Sequence, residues 1–454
     1  MGSGQHVAHR SRSTHVTGQR GHLAVGEQLA RLRRPEHLRH RRGQRKLRAL
    51  NHPAAPMLPQ PVNAFKSTHH QLADVCLPLH YSSRLGVRHC GLAKLRQTAP
   101  AAVIYPGQMP SPGAGAAQIN IDGAIGRLHD RLHTTPLLHS RLLDQAVGGR
   151  VWLKAENFQR AGSFKSRGAF NAALVGLEEK DSRGLLALSS GNHGQAVALA
   201  AAELGLSAVV VMSEGSSPVK IAAVRSYGAE VVTEGVNLGN RERVASELAA
   251  ERGLRLIHPH DDPHVISGQA TVGYELAGQL QARGVEAPLV LVPLGGGGLL
   301  AGMAIALRRW LPKARVVGVE PESGNDGALS LASGRRVTLP EAPVTVADGA
   351  ATLRLGAIDW EIIRTAVDDI VTVSDRQIGE ACWWLWSRCK LVVEPTGALG
   401  VAAALSTARS LAGLRQSASG ADPTEIVCVL TGGNCLPSQI ADLVESVAGQ
   451  PPRF

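Results

Sequence analysis

The sequence predicts an α/β protein in which helices cover both faces of a mostly parallel sheet. From about residue 121 onward, short apolar runs alternate with Ala- and Leu-rich stretches of helical character. Gly-rich turns follow directly after three predicted strands, at Gly191, at Gly295–Gly298 and at Gly432–Gly433. The 454 residues are 44% hydrophobic, enough for one large or two medium cores, and no apolar run suggests a membrane span.

The first 108 residues differ from the rest of the chain. They carry 17 Lys/Arg, 3 Asp/Glu and 11 of the 18 histidines, so the net charge of +11 arises entirely from this segment. It shows neither helical nor strand periodicity, and we expect it to be disordered or to be translated from upstream of the true start, near Met109. No aromatic interleaving or nucleic-acid motif accompanies the basic charge, so a nucleic-acid partner is not expected.

The cysteines favour a reducing compartment. Their spacing shows no metal-ligand pattern such as C-x-x-C. They are Cys76, Cys90, Cys382, Cys389, Cys428 and Cys435. Reduced thiols in a cytoplasmic protein are therefore the expectation.

Seven strands are predicted in the body of the chain. They are Leu185–Leu188, Ser207–Met212, Ala229–Thr233, Leu254–His258, Pro288–Pro293, Ala314–Glu320 and Glu425–Leu430. In open α/β sheets, ligands bind beyond the carboxyl ends of the strands. The three Gly-rich turns are therefore expected to face one cleft.

Lys165 stands at the start of a predicted helix, in the stretch GSFKSRGAFNA. Most lysines are solvated surface residues, but here Ser163 can cap the helix and Phe164 puts an aromatic face beside the amine. The positive helix end lowers the pKa of that amine toward the range of a usable nucleophile. The arrangement suits Schiff-base chemistry.

The turn SSGNHGQA joins a predicted strand to the next helix. Its free backbone N–H groups, with the side chains of Ser189, Ser190 and Asn192, indicate an anion site for a carboxylate or phosphate. An ordinary capped turn is the competing interpretation.

The four glycines of Gly295–Gly298 open another helix, where the backbone can approach a phosphate closely. Glu320, about twenty residues later, imitates the acidic ribose ligand of a dinucleotide-binding unit. An NAD-dependent dehydrogenase is therefore an alternative. Leu300 argues against it, because it stands where a G-x-G-x-x-G pattern requires its third glycine.

Thr431 follows the last predicted strand, in VLTGGNCL. A hydroxyl can hydrogen-bond a heteroaromatic nitrogen without holding it protonated, as a carboxylate would. An unprotonated ring is a weaker electron sink, so it delocalises the substrate carbanion less. Loss of a β-substituent from that carbanion is then favoured.

Taken in order, these motifs resemble the fold-type II family of pyridoxal 5'-phosphate (PLP) enzymes, whose tryptophan synthase β-like fold has two open, mostly parallel sheets flanked by helices. The match runs from Thr135 to about Leu436 and looks most like serine racemase and the threonine/serine dehydratases. The stretches that carry it are GSFKSRG, SSGNHGQA, HPHDDPHVISGQATVGYE, GGGGL, VEPESGND, ADGAATLRLG, VDDIVTV and VVEPTGALGVAA.

The resemblance implies roles for individual residues. The implied PLP contacts are Phe164, Lys165, Asn192, Gly295, Gly296, Gly297, Gly298, Gly349 and Thr431. The implied substrate contacts are Ser189, Ser190, Gly191, His193 and Arg241. Lys165 and Ser190 are the implied catalytic residues.

The implied chemistry starts with removal of the α-proton by Lys165. Loss of the β-hydroxyl then yields a 2-oxo acid and ammonia, whereas return of a proton from the opposite face, through Ser190, racemises the amino acid. Deamination of L-threonine and L-serine to 2-oxobutanoate and pyruvate is the first expectation. A serine or hydroxyaspartate racemase/dehydratase is the alternative. His260 keeps hydroxyaspartate open, because many threonine dehydratases have Phe there and an imidazole could contact an anionic β-substituent.

The same resemblance implies a cation site formed by Glu320, the carbonyl of Gly324 and Asp326. Oxygen ligands suit Mg²⁺ or Ca²⁺, and solvated loop acids are the competing interpretation.

The predicted domains are a large PLP-binding domain, 109–183 with 263–454, and a small substrate-closing domain, 184–262. The expected partner is a small amino-acid substrate, with no membrane, in a cytoplasmic homo-oligomer that is a dimer or tetramer. Fewer than twenty residues follow Leu436, so the regulatory domain of biosynthetic threonine dehydratases is not expected.

Overall fold

The structure is a computed structural model that describes residues 115–181, 183–237, 239–406 and 425–448. The basic extension 1–108 lies outside the described residues. Within the described ranges the chain forms ten strands and thirteen α-helices.

The strands and helices are numbered in chain order. The strands are β1 (Leu137–His139), β2 (Arg150–Ala155), β3 (Leu185–Leu188), β4 (Ala208–Val211), β5 (Glu230–Val232), β6 (Arg255–Ile257), β7 (Leu289–Pro293), β8 (Arg315–Pro321), β9 (Asp369–Val373) and β10 (Glu425–Leu430). The helices are α1 (Ile121–Leu128), α2 (Arg141–Val147), α3 (Lys165–Glu178), α4 (Asn192–Leu204), α5 (Pro218–Ser226), α6 (Arg241–Glu251), α7 (Pro263–Gln281), α8 (Gly298–Trp310), α9 (Asp326–Ser333), α10 (Ala357–Ala366), α11 (Asp375–Ser387), α12 (Leu399–Leu405) and α13 (Pro437–Ala448).

The strands form two sheets. The larger has the order β1-β2-β10-β7-β8-β9 and is parallel at every pairing except that of β1 with β2. The smaller has the order β5-β4-β3-β6 and is parallel throughout. The predicted fold class, two open and mostly parallel sheets flanked by helices, is confirmed.

Helices cover both faces of the larger sheet. Along β7, Val290 and Val292 pack with α7, α8 and α10, whereas Leu289 and Leu291 pack with α2, α11 and α12. Every residue of β7 is buried, and the same is true of β4 in the smaller sheet. Such uninterrupted apolar strands are typical of parallel sheets that are covered on both sides.

All seven predicted strands are present, each within one residue of its predicted bounds at either end. The strands β1, β2 and β9 were not predicted. The smaller sheet, β3 to β6, lies within the segment 184–262, and α3 packs against it as well. The division into a large and a small closing domain stays a prediction. In the part of the chain that the structure describes, no helix is long and apolar enough to cross a membrane.

Candidate active site

Lys165 is the first residue of α3 and is partly buried. Its Nζ donates a hydrogen bond of 2.7 Å to the carbonyl oxygen of Pro259 and lies 5.0 Å from the centre of the Phe164 ring. Burial lowers the pKa of Lys165 to about 8, although Asp359 and Glu394 act in the opposite direction. This amine therefore has a substantial neutral fraction near neutral pH.

The predicted cap on α3 does not form. Phe164 is the N-cap residue, and no side chain accepts a hydrogen bond from the first turn. Ser163 instead lies in extended backbone, paired with Gly432 in an isolated bridge, which directs its hydroxyl away from a capping role. The prediction that Ser163 caps this helix with its side chain is wrong, and Ser166 N and Arg167 N donate instead to the carbonyl oxygens of Ser163 and Phe164, at 3.4 and 3.0 Å.

Two buried hydroxyls lie at the junction between α3 and the turn after β10. Phe164 N donates to the Thr431 carbonyl at 3.1 Å, and Gly433 N donates to the Gly162 carbonyl at 3.0 Å. Ser163 Oγ and Thr431 Oγ1 are buried and have no hydrogen-bond partner among the described residues. Because unsatisfied buried hydroxyls are costly, this pair points to a polar ligand beside Lys165.

Asn192, the first residue of α4, reaches the same turn. Its Nδ2 donates to Glu394 Oε1 at 2.7 Å, and its Oδ1 accepts from Asn434 Nδ2 at 2.8 Å. Burial, together with the charge of Asp348, raises the pKa of Glu394 to about 8, although the hydrogen bond from Asn192 acts in the opposite direction. Asn192 is thus held between two side chains, and a Cβ on Gly432 would lie 3.1 Å from its Nδ2.

The turn that precedes α4 lacks a side-chain cap. Ser189 Oγ accepts from Gly191 N at 3.1 Å and so shapes the turn. His193 is buried, and its Nε2 bonds the Ile257 carbonyl at 2.8 Å. Burial lowers the pKa of His193 to about 3, so this ring is neutral. Ser190 lines a neighbouring cavity of about 780 Å³.

The glycine loop Gly295–Gly298 opens α8. Gly297 has φ +113°, a conformation that L side chains rarely adopt, and no side chain caps the helix. A Cβ at Gly295 would lie 2.8 Å from the Gly349 carbonyl oxygen, so these two segments touch. The loop leaves helix N–H groups free for an anion.

Three further predicted residues stand on other elements of the fold. Arg241 begins α6 and is not among the residues that line the cavity with Ser190. Glu320 accepts from Gly327 N and Ala328 N, at 3.2 and 2.8 Å. The neighbouring Asp326 has a buried Oδ2 without a partner in the described part of the chain.

Glu320 and Asp326 are the two predicted side-chain ligands of the cation. Gly324, whose carbonyl would be the third ligand, lies between them in the sequence and is buried in the fold. Among the described residues, no group of three or more His, Cys, Asp or Glu side chains is placed to hold a metal ion. The cation site stays a prediction that needs a backbone carbonyl and water as further ligands.

Several residues at the site were missed in the sequence. Glu394 and Asn434 hold Asn192, and Asp359 lies beside Gly297. Glu394 stands in VVEPTGALGVAA and Asn434 in VLTGGNCL, both stretches already singled out, so their position beside a functional turn was a usable signal. Asp359 offers no such signal, because it lies within an ordinary helical pattern.

The residues present fit PLP. Lys165 would offer an amine of lowered pKa to its aldehyde, and the uncapped loop Gly295–Gly298 would hold its phosphate. Thr431 would offer an unpartnered hydroxyl to its ring nitrogen.

Comparison with known proteins agrees with this fit. Residues 129–432 match the family described as pyridoxal-phosphate dependent enzyme. The L-threo-3-hydroxyaspartate ammonia-lyase of Saccharomyces cerevisiae is 43% identical over 71% of this chain and 94% of its own length. The serine racemase of Schizosaccharomyces pombe is 40% identical over 69% and 93%. The crystal structure of a threonine deaminase from T.th. is 48% identical, with a TM-score of 0.65, and covers 70% of this chain and 97% of its own.

Proposed function

Since the chain belongs to the pyridoxal-phosphate dependent enzyme family, we propose that it deaminates a small L-3-hydroxy amino acid by β-elimination, with L-threonine and L-serine as its first substrates. The observation that carries this proposal is the buried, unpartnered hydroxyl of Thr431 beside Lys165. A hydroxyl there leaves the ring nitrogen unprotonated, which favours expulsion of a β-substituent. The threonine deaminase structure, at 48% identity, supports the same substrate class.

When bound, PLP supplies an electrophilic aldehyde and an electron sink for the α-carbon of the substrate. Lys165, with its pKa lowered by burial to about 8, takes the α-proton as a neutral amine at Nζ. The uncapped N–H groups at the start of α4 bind the substrate carboxylate, and Ser189 keeps that turn in shape. The loop Gly295–Gly298 anchors the phosphate, and Asn192 positions the ring.

Ser190 influences whether the α-carbon of the substrate regains a proton. It belongs to the turn that precedes α4 and lines the cavity of about 780 Å³. A hydroxyl on the face opposite Lys165 can return a proton to the α-carbon, so a minor racemase activity accompanies elimination. The similarity to serine racemase of S. pombe supports this part of the proposal.

L-threo-3-hydroxyaspartate is a second candidate substrate. Two observations favour it, the 43% identity to a yeast enzyme named for that substrate and the position of Lys220. Lys220 lines the same cavity as Ser190, and its ion-pair partner, Asp348 at 2.8 Å, is exposed. The Lys220 ammonium can exchange that solvated partner for a substrate β-carboxylate.

Parallel assays of the holoenzyme with L-threonine, L-serine and L-threo-3-hydroxyaspartate test the proposal. Ammonia, 2-oxo acid and the enantiomer ratio of the remaining amino acid are measured for each. We expect ammonia and 2-oxo acid in equal amounts from at least one of the three. No turnover of any of them, by a protein that binds PLP, would contradict the proposal.

Lys220→Met separates the two substrate classes. If hydroxyaspartate is a substrate, the variant lowers its kcat/KM much more than that of serine. Lys313→Met is the control, because Lys313 forms an exposed pair with Glu286 and does not line the cavity.

We also propose that Glu320, the Gly324 carbonyl and Asp326 bind Mg²⁺ or Ca²⁺. A cation-dependent rise in melting temperature that Asp326→Asn removes would support it. A cytoplasmic dimer or tetramer that closes the segment 184–262 over its substrate remains the expectation for the assembled enzyme.

A further inference from the structure

His193 presents a buried hydrogen-bond acceptor that has no partner. It is the second residue of α4 and is 2% exposed. Its Nε2 lies 2.8 Å from the carbonyl oxygen of Ile257. Because a carbonyl only accepts, the single hydrogen of the neutral ring is on Nε2, and Nδ1 keeps its lone pair. In the described part of the chain Nδ1 has no hydrogen-bond partner, which costs free energy unless a donor reaches it.

Lys165 is the donor that the fold brings near this acceptor. Helices α3 and α4 pack against each other, and Lys165 and His193 both lie in the first turn of their helix. Lys165 Nζ donates to the carbonyl of Pro259, and His193 Nε2 donates to that of Ile257, two residues earlier. The two side chains therefore meet the same short segment at the end of β6. The charge of Lys165 also lowers the pKa of His193, as expected for neighbouring groups.

The His193 imidazole stays neutral near neutral pH and above. Burial is the main cause that lowers its pKa to about 3, and Lys165, His258 and His260 add to the lowering, although the bond to Ile257 opposes it. His258 and His260 are themselves neutral, because burial lowers the pKa of each to about 4. His193 Nδ1 is therefore an acceptor throughout the range in which Lys165 titrates.

Two carboxyl groups also act on Lys165. Asp359 and Glu394 raise its pKa, against the larger effect of burial. Burial raises the pKa of Glu394 to about 8 and that of Asp359 well above its usual value. Both acids are therefore largely protonated at neutral pH, so neither gives a lysine ammonium a full counter-charge. An ammonium formed in this site depends on neutral acceptors for its solvation.

We propose that His193 is a positioning residue for Lys165. When Nζ takes the α-proton of the substrate, the ammonium donates one hydrogen to Nδ1 of His193 and another to the carbonyl of Pro259. The proton passes from the α-carbon to Nζ, and the electron pair of the broken C–H bond stays with the substrate. Two neutral acceptors lower the cost of forming this charge in a buried site.

This inference rests on the proposed role of Lys165 as the base. It gives the His193 side chain a task different from the predicted substrate contact. The one ring hydrogen is already donated to Ile257, so the imidazole has none for a substrate carboxylate.

The pKa of Lys165 in the apoprotein tests the pair without the cofactor. Acetic anhydride reacts only with the neutral amine, so competitive labelling from about pH 6 to about pH 11, with mass spectrometry of the Lys165 peptide, gives the midpoint. Loss of an acceptor that stabilises the ammonium lowers the pKa. We therefore expect His193→Met to move the midpoint down by about one unit or more from the wild-type value of about 8.

His193→Gln is the conservative variant. Its amide keeps a donor for Ile257 and an oxygen for Lys165 Nζ, so we expect a midpoint within about half a unit of the wild type. His139→Met is the matched control. His139 lies on the edge strand β1 and pairs with Asp144 at 2.6 Å, so its loss should leave the Lys165 midpoint unchanged.

An unchanged midpoint in His193→Met would overturn the proposal, because it would mean that the imidazole only supports the Ile257 carbonyl. Equal lowering in the Met and Gln variants would overturn it as well, since a disturbed start of α4 would then be the cause. Urea unfolding is recorded for each variant. If His193→Met does not fold, His193→Phe takes its place in the same comparison.

Turnover of the holoenzyme gives a second measurement. The ammonium forms only after the substrate is bound, so His193→Met should lower kcat by about tenfold or more and change KM less. A lowered Lys165 pKa with an unchanged kcat would overturn the assignment to proton transfer. A wild-type protein that binds no PLP would instead contradict the proposed function, and the labelling of the apoprotein would still decide whether His193 and Lys165 interact.

Discussion

Lys165 Nζ donates a 2.7 Å hydrogen bond to the carbonyl oxygen of Pro259, 94 residues away in the chain. This contact joins the first residue of α3 to the segment between β6 and α7. Pro259 lies beside His260, which contacts the glycine loop. The amine and the anion cradle are therefore held by one short segment, so their spacing does not depend on a long or mobile connection.

Borohydride reduction of the holoprotein is expected to fix a pyridoxyl group on Lys165. The partly buried amine has a lowered pKa, and the residue before it, Phe164, donates from its backbone N to the carbonyl oxygen of Thr431, whose hydroxyl is buried and unpartnered. Peptide mass spectrometry locates the adduct. Lys154 is the internal control, because it is fully buried but paired with Glu275 at 2.8 Å. An adduct on another lysine, or none on Lys165, would contradict the assignment.

The rate at which PLP attaches to the apoprotein should depend on the ionisation of Lys165. Only the neutral amine attacks an aldehyde, and burial lowers the pKa of this residue to about 8. We expect the rate to rise as the pH increases through about 8 and to level off above it, rather than to keep rising toward the usual lysine pKa of about 10.4. Stopped-flow absorbance between pH 6.5 and pH 10, on the order of one measurement per half unit, gives the midpoint. A midpoint near 10 would show that burial does not act on this amine.

Ser190→Ala and Ser189→Ala should have different effects. We expect Ser190→Ala to lower racemisation by at least about a hundredfold, because it removes a proton donor, while ammonia release falls less. Ser189 instead accepts from Gly191 N and shapes the carboxylate turn, so Ser189→Ala should raise KM for every substrate. Chiral chromatography and ammonia release separate the two effects. The same change in both variants would mean that neither hydroxyl moves a proton.

Much of the fold could be predicted because its strands are short apolar runs between turn residues. Strands β3 and β10 have the predicted bounds for this reason. Strand β2 was missed because Arg150 and Lys154 interrupt its apolar pattern. Lys154 is nevertheless fully buried, through a partner on α7 that is 121 residues away in the chain. A partner so far away in the chain cannot be identified from the residues around Lys154.

The candidate site likewise contains features that local sequence predicts and features that it does not. The glycine loop and Lys165 could be predicted because their chemistry depends on local backbone conformation and on a helix start. The position of Asp359 beside the loop could not, because its side-chain partner, His260, is 99 residues earlier in the chain. The unpartnered hydroxyl of Thr431 likewise becomes apparent only in the folded protein, where the residue after β10 bonds the backbone of Phe164, just before α3.

Arg167→Met should strongly destabilise the protein. Arg167 is 1% exposed and binds both Glu156 and Glu275, with N–O distances of 2.7 to 3.0 Å. Its removal leaves Glu156, which is fully buried, without its hydrogen-bonded cation, and such losses cost about 3–5 kcal/mol. The variant should therefore unfold at a clearly lower urea concentration. Because Arg167 is two residues beyond Lys165 in α3, cofactor capture should weaken as well.

The control for this effect is Arg243→Ala. Arg243 also forms an ion pair, with Glu247, but both side chains are more than half exposed, so the charges are already solvated. We expect no measurable change in its urea midpoint. Double replacement of Arg167 by Met and Glu156 by Gln should recover part of the loss, because the uncompensated charge is then gone. If Arg167→Met behaved like Arg243→Ala, the buried network would not be what holds α3, and with it Lys165, in place.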